Sequence, residues 1–407
     1  MTLKFKASLI LATSGIFTSL STGANTASQA QAADAFDLIP ELPSSIYVDA
    51  TATHVPIAPS LHSTDSVFID VDHDGDMDVV VSVEHGVNRL YLNDGKGRLT
   101  DKPGAFGKVI HDSEHVRAAD FNGDGNMDVV FVAEADEVHQ LFLGDGKGGF
   151  TDVSDRLPAA SQGNGLALGD VNGDNLPDII IGSTGETDYA SDAKIIPARN
   201  LLFLNDPKRP GHFINATDTH LPKTNDQTES IALADMDADG DLDMVLASPA
   251  HPNRLLLNDG KGRFTDASDR LELLVPMETR DVHVLDVNQD GHMDIVFFSI
   301  TSNNFGWDRD PQTRLLINDG KGRFKDETAK RLPAHVFSSW AGTLVDFNSD
   351  GKPDLLVGAI QVPGFVPLQL QAWQRPMSSV FRLLHGLVSS SDGGARLQRS
   401  LPAELLP

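Results

Sequence analysis

Six times along the chain, aspartates recur at alternate positions and then give way to a run of apolar residues. The first copy reads DVDHDGDMDVVV over residues 70–81. Carboxylates packed this closely repel one another, so the spacing makes chemical sense around an oxygen-seeking cation. The copies run Asp70 to Asp78, Asp120 to Asp128, Asp170 to Asp178, Asp235 to Asp243, Asp286 to Asp294 and Asp346 to Asp354. Position one is always Asp, and so is position five: Asp74, Asp124, Asp174, Asp239, Asp290 and Asp350. Position nine closes every copy with Asp. Position three is Asp72, Asn122, Asn172, Asp237, Asn288 and Asn348. Position seven is Asp76, Asn126, Leu176, Asp241, His292 and Lys352; leucine and lysine cannot ligate, so this position must offer its backbone carbonyl. Position six is glycine in five copies and Asn175 in the other, the residues that accept a left-handed backbone most readily.

Oxygen donors at one, three, five, seven and nine match the first part of an EF-hand loop, which then requires a bidentate glutamate at twelve. Position twelve here is Val81, Phe131, Ile181, Leu246, Phe297 and Val357. These are therefore compact cation loops that run straight into a strand, and not EF-hands. A hard, all-oxygen donor set favours calcium or magnesium over zinc or copper. The number of donors and the flexibility of the loop favour calcium.

The elements that must carry these loops are legible from the period. The copies start 50, 50, 65, 51 and 60 residues apart, which is the spacing of a supersecondary unit repeated in an array. A second motif follows in each of the first five: RLYLNDGKGRLTD (89–101), QLFLGDGKGGFTD (140–152), the looser NLLFLNDPKRPGHFIN (200–215), RLLLNDGKGRFTD (254–266) and RLLINDGKGRFKD (314–326). One unit reads as four strands. SVFIDV is a short alternating strand, MDVVVSVE an apolar one and RLYLND a third; Asp94-Gly95-Lys96-Gly97 makes a hairpin turn into RLTD. Four strands per repeat predict an all-β protein, a β-propeller of six blades with a seventh left open. The longer intervals come from insertions between second and third strands, at 183–199 and 299–313. Tyr47 to Thr51 resembles a fourth strand with no unit before it, and is expected to close the ring by completing the last blade.

The loop D-x-[DN]-x-D-G-x-x-D running into an apolar strand, together with NDGKGRF, resembles the FG-GAP/VCBS repeat family, which includes the integrin alpha-subunit head. The resemblance covers about residues 46–360 and implies a calcium-bearing propeller. The third copy departs from it at Asn175 and Pro177. The family hosts adhesion modules, lectins and enzyme-associated domains, so it leaves function open.

The two ends read differently. Lys4 and Lys6, an apolar run from Ala7 to Leu20 and Ala30-Gln31-Ala32 describe a leader peptide over residues 1–32, cleaved after Ala32, and hence a secreted or periplasmic protein. The propeller occupies 33–360, and a divergent tail 361–407. From 355 onward there are four arginines against two acids and no cation loop, a shift that marks either a specialised extension or a frame disruption. Within the tail, Phe365 to Trp373 offers a third strand for the last blade. The chain has no cysteine, so no disulfide braces it. A formal charge of -26 argues against nucleic acid and anionic membrane as partners, and no segment after the leader is apolar enough to span a bilayer.

No catalytic motif is present, and scattered acids such as Glu134, Glu186 and Glu278 are what any acidic surface shows. His85, His139 and His251 each follow a second strand. The sequence therefore reads as a binding or adhesion module for a glycan or protein ligand; the alternatives are a polysaccharide-active enzyme and an assembly scaffold. All six loops lie at one end of their strands, so every long insertion falls on the opposite face. Tyr189, Phe305 and Trp307 in those insertions are the expected ligand contacts.

Overall fold

A computed structural model of the chain describes residues 50–56, 61–134, 138–185, 198–224, 227–249, 251–273, 277–300, 313–333, 338–346, 350–360 and 379–384. They form a β-propeller of six antiparallel sheets, five with four strands and the last with three, each ordered as the chain runs. Blade 1 spans 62–101, blade 2 113–152, blade 3 163–215, blade 4 230–266, blade 5 278–326 and blade 6 338–384. The innermost strand of each is the first: His62–Ile69, Ser113–Ala119, Gly163–Gly169, Ser230–Ala234, Glu278–Leu285 and Ser338–Val345.

The core lies between the blades. Five buried clusters each join one blade to the next, from blades 1 and 2 through to blades 5 and 6. This explains why second strands read as unbroken apolar runs. In Asp128–Ala133 every residue is buried; Val129 and Phe131 pack towards blade 1, Val130 and Val132 towards blade 3. A strand with a neighbour on both faces has no solvent side to alternate with.

The hairpin turns form as their residues dictate. Asn93 pairs with Leu99 across the first one, Gly95 and Gly97 take φ of 70° and 77°, and Asp94 Oδ1 accepts the amides of Lys96 and Arg98. The two insertions fall between the second and third strands of blades 3 and 5, as the spacing predicts.

Two expectations are corrected. Thr51 opens a single helical turn, Thr51–His54, and so is not part of a strand; Tyr47 to Asp49, most of the expected closing strand, lie outside the described residues. The third strand of blade 6 is Ser379–Leu384, not Phe365 to Trp373, and it pairs from Leu355↔Leu384 to Ile360↔Ser379. Pro367 interrupts the nearer segment and Pro363 stands just before it, and a proline cannot donate to a ladder. SVFRLL has β-branched and aromatic residues and no such gap. Blade 6 thus draws a strand from the tail.

Candidate functional site

The six aspartate loops lie at the C-terminal ends of the inner strands, and their geometry repeats. Position-one carboxylates accept amides from positions five and six: Asp124 and Gly125 donate to Asp120 (3.1 and 2.8 Å), and Asp239 and Gly240 to Asp235 (3.1 and 3.0 Å). The third copy, despite Asn175 and Pro177, keeps the same bonds to Asp170. In the sixth, Asp350 and Gly351 donate to Asp346, and Lys352 donates to Asp350; Asn348 lies outside the described residues.

Position six is left-handed in every copy, and position four is too wherever it is described. At position four the residues include His73, Ala238 and Gln289, at φ of 61°, 65° and 62°. Sequence reasoning missed this second left-handed position because nothing about alanine or glutamine announces it; the carboxylate cradle imposes it. Position-seven side chains lie against the facing turn. A Cβ on Gly95, Gly260 or Gly320 would come within 2.4–2.5 Å of Asp76, Asp241 or His292. That agrees with a role for position seven through its carbonyl.

Position nine is the most buried of the set. Asp78, Asp128, Asp178, Asp243, Asp294 and Asp354 are at most 1% exposed. In the first five copies one oxygen accepts the position-two amide and the other an amide at the end of the third strand, as with Val71 (3.1 Å) and Asn93 (2.8 Å) on Asp78. Burial, reinforced by the loop's other carboxylates, pushes Asp178 up to about 7 and Asp128, Asp243 and Asp294 up to about 6.

The asparagine that opens the third-strand turn, in NDGKG or in the NDPKR of blade 3, links neighbouring blades. Asn205, Asn258 and Asn318 each donate to the position-two carbonyl of the preceding blade's loop, at Phe121, Val171 and Met236 (2.8, 2.8 and 2.9 Å). The same amide groups reach the position-eight carbonyl of their own loop. Blade 2 carries Gly144 there, and Gly148 N–H takes over the link to Val71 (2.9 Å). The two sequence motifs recur together because each holds the other.

The donor set fits a hard divalent cation. Asp70, Asp72 and Asp78 converge, as do Asp235, Asp237 and Asp239, with one oxygen from each within 4.8 Å of the others. Buried Oδ1 atoms of Asp70, Asp72 and Asp237 have no hydrogen-bond partner. These are the two loops with Asp at position three.

The opposite face holds a different kind of site. The N-terminal halves of all six inner strands line one central cavity of about 720 Å³. Its side chains are put there by β-bulges. The register slips around Thr64 and Asp65 in blade 1, Glu114 in blade 2, Asn164 in blade 3, Arg280 in blade 5 and Trp340 in blade 6, and each of these lines the cavity. A bulge turns an extra side chain out of alternation, here towards the axis. Between them His115, Arg117, Asp281 and His283 alternate with the buried Val116 and Val282.

The cavity holds paired charges. Asp65 Oδ2 meets His115 Nδ1 at 2.9 Å and the Arg117 guanidinium at 2.5 Å. Burial alone would raise Asp65, but the His115 bond and the Arg117 charge outweigh it and bring it to about 2. Asp281 bonds His283 (3.0 Å) and accepts from Ser230 (3.1 Å). Arg280 bridges Glu229 and Glu278 (2.7 and 2.6 Å) beneath the Trp340 ring, 4.7 Å from its centre. Glu114 is pushed up to about 8 by burial and by Glu134, Glu84, Asp112 and Glu229 around it.

Of the acids and histidines singled out in the sequence, Glu134 lines the cavity, Glu278 is buried against Arg280 and Glu186 lies outside the described residues. His139 is buried between Ala133 N–H and Ser161, so it is structural, whereas His85 contacts Asp112. His251 does neither; its backbone amide donates to Ser248 Oγ. Tyr189, Phe305 and Trp307 lie outside the described residues. Apart from Glu134, the cavity residues went unread because bulges leave no mark in composition; the signal available was a break in alternation, as at Glu114-His115.

The FG-GAP-like repeat family matches residues 70–131, 120–181, 235–297 and 300–357, together more than half of the chain. Cartilage acidic protein 1 of Xenopus tropicalis is 28% identical over 167 residues, which is 39% of this chain and 24% of that protein. The chain thus spans about a quarter of that relative's length. Among solved structures, BBS1N in complex with ARL6DN, soaked with lead, is 8% identical over 74% of this chain and 75% of its own, with a TM-score of 0.43. The V. cholerae biofilm matrix protein Bap1 is 12% identical over 70% of this chain and 44% of its own, with a TM-score of 0.39. No helix among the described residues is long and apolar enough to cross a membrane.

Proposed function

Because the chain belongs to the FG-GAP-like repeat family, we propose that it is an exported, calcium-braced propeller that binds a glycan or protein ligand at the mouth of its central cavity. The observation that carries the reading is the cavity itself, where all six inner strands bring charged, hydroxyl and aromatic groups to one 720 Å³ space. A concave site with a few convergent polar groups is the expected form of a binding site. Trp340, 45% exposed and backed by Arg280, supplies an aromatic face there. The second strands of blades 3 and 5 run into the insertions that carry Tyr189, Phe305 and Trp307 in the sequence, and Glu84 at the end of the equivalent strand of blade 1 lines the cavity.

Calcium belongs to the other face in this reading. Positions one, three, five and nine would hold it by carboxylate or amide oxygens and position seven by its carbonyl. Its charge would offset the mutual repulsion of the loop carboxylates. The loops beginning at Asp70 and Asp235 are the tightest, each with four carboxylate donors. The leader over 1–32 is removed on export.

A catalytic reading has one observation in its favour: Glu114 at about 8 and Asp65 at about 2 share the cavity, and carboxyls driven apart in this way are the mark of an acid and a base. A glycan array and a protein pull-down, run with calcium and with chelator and followed by a reducing-end assay, separate the readings. Binding without turnover is expected, weakened about tenfold or more by Trp340→Ala at an unchanged melting temperature. Turnover lost in Glu114→Gln would establish the enzyme instead. If Trp340→Ala and Arg117→Ala leave affinity intact while a still-folded Asp237→Ala abolishes it, the functional face is the loop face.

A further inference from the structure

We propose a second kind of metal site, for a zinc-class cation and not calcium, formed by Glu84, His85 and Asp112 where blade 1 meets blade 2. One ligand atom from each of the three lies within 4.8 Å of the others. His85 Nδ1 stands 2.6 Å from Asp112 Oδ1, and His85 Nε2 3.9 Å from Glu84 Oε1. Zinc holds imidazole nitrogen and carboxylate oxygen at about 2.0–2.2 Å; because the two contacts use opposite ring nitrogens, the exposed His85 ring must turn so that one nitrogen shares the ion with both carboxylates. Two carboxylates offset its charge, and an imidazole donor selects against calcium and magnesium.

The backbone, and not chance side-chain approach, sets the cluster. Glu84 ends the second strand of blade 1, and His85 follows with φ of 53°. Gly86 then pairs with His111 in both directions, N–H to carbonyl at 3.1 and 3.0 Å. That bridge fixes Asp112 of the neighbouring segment beside His85. Asp112 is 6% exposed, whereas the His85 side chain is 69% exposed and can move to meet an ion. A further imidazole stands by: His62 Nδ1 is 3.6 Å from Glu84 Oε2. With three protein ligands, the fourth position is filled by His62 or left to water, and His62→Ala distinguishes the two. Since Glu84 also lines the central cavity, the ion would cross-link two blades at its rim. This site lies on the face away from the aspartate loops and does not depend on what the cavity binds.

The test uses untagged protein saturated with calcium, titrated with cobalt(II) for its visible spectrum and with zinc against a competing chelator. One site is expected, with tetrahedral cobalt bands and a zinc-dependent rise in melting temperature. His85→Asn, which keeps a residue tolerant of a left-handed backbone, and Asp112→Asn should each weaken it by at least about tenfold, since even outer-shell losses cost about 10–100-fold. His251→Asn should change nothing. If Asp112→Asn fails to fold, His85→Asn decides alone. Equal zinc affinity in His85→Asn and the native chain, or no binding below about 100 µM zinc, overturns the site.

Discussion

The two faces of this propeller are built from the same six repeats and have diverged in opposite ways. On the loop face, the same carboxylates accept the same amides from blade to blade, and the turn asparagines Asn205, Asn258 and Asn318 join loop to loop in three consecutive blades. On the cavity face the equivalent bulge positions hold Glu114, Asn164, Arg280 and Trp340, no two alike. Position −5 from the loop is Asp65 in blade 1, His115 in blade 2 and Asp281 in blade 5. Repetition is what a shared structural demand produces. Variation around one axis is what a single asymmetric ligand would call for.

The comparison breaks most readily on calcium. If the loop face is the scaffold, chelation should give the largest effect on stability. At about tenfold excess over Kd each occupied loop adds about 1.4 kcal/mol, so removing up to six ions should lower the melting temperature substantially. An unchanged melting curve in chelator would deny the loops any part in folding.

Single links in the scaffold come next. Asn258→Ala should cost about 1–3 kcal/mol, because it strips a buried bond from Val171 O and leaves that carbonyl unpaired. Gly144→Asn restores the motif in blade 2, yet it too should destabilise, by about 1–3 kcal/mol. A Cβ there would stand 2.2 Å from Met127 O. Denaturant unfolding in calcium measures both. A stabilised Gly144→Asn protein would mean that blade 2 can adopt the link its neighbours use.

The smallest effects belong to the cavity and show in the pH profile of the calcium-saturated protein. Asp65, held at about 2 against burial by His115 and Arg117, contributes stability that is present above about pH 4 and lost as pH falls through about 2. The shift corresponds to about 2 kcal/mol. His283 has the opposite sign. Burial and Arg117 lower it, but the Asp281 bond outweighs them and raises it above 6.5. Its contribution is present below that value and lost as pH rises through the raised one. Asp65→Asn should therefore flatten the acid limb and His283→Gln the alkaline one. If both variants track the native profile, these pairs do not stabilise the fold.

How much of this could be read without coordinates differs by face. The aspartate loops, their left-handed sixth position and the hairpin glycines all follow from residue types at fixed spacing, since a carboxylate loop and a tight turn are local structures. The blade count and the site of the insertions follow from the period. The left-handed fourth position, held by His73, Ala238 or Gln289, was not legible, because the carboxylate cradle and not the residue's own preference fixes it. The third strand of blade 6 was missed for a related reason. Pairing joins segments across a gap, and the segment expected to pair, Phe365 to Trp373, is broken by Pro367.

The sequence by itself determined the repeating unit, the spacing of its carboxylates and the class of architecture, because each repeat carries its own loop, strands and turn, and the period shows how many times they recur. Only the tertiary structure decided what stands at the axis. Asp65 meets His115 and Arg117 across some fifty residues, and Arg280 meets Glu229 across 51. Bulges, which shift one residue out of register without altering composition, chose which side chains face that space. A cavity assembled from six strands, one from each repeat, belongs to no single stretch of the chain.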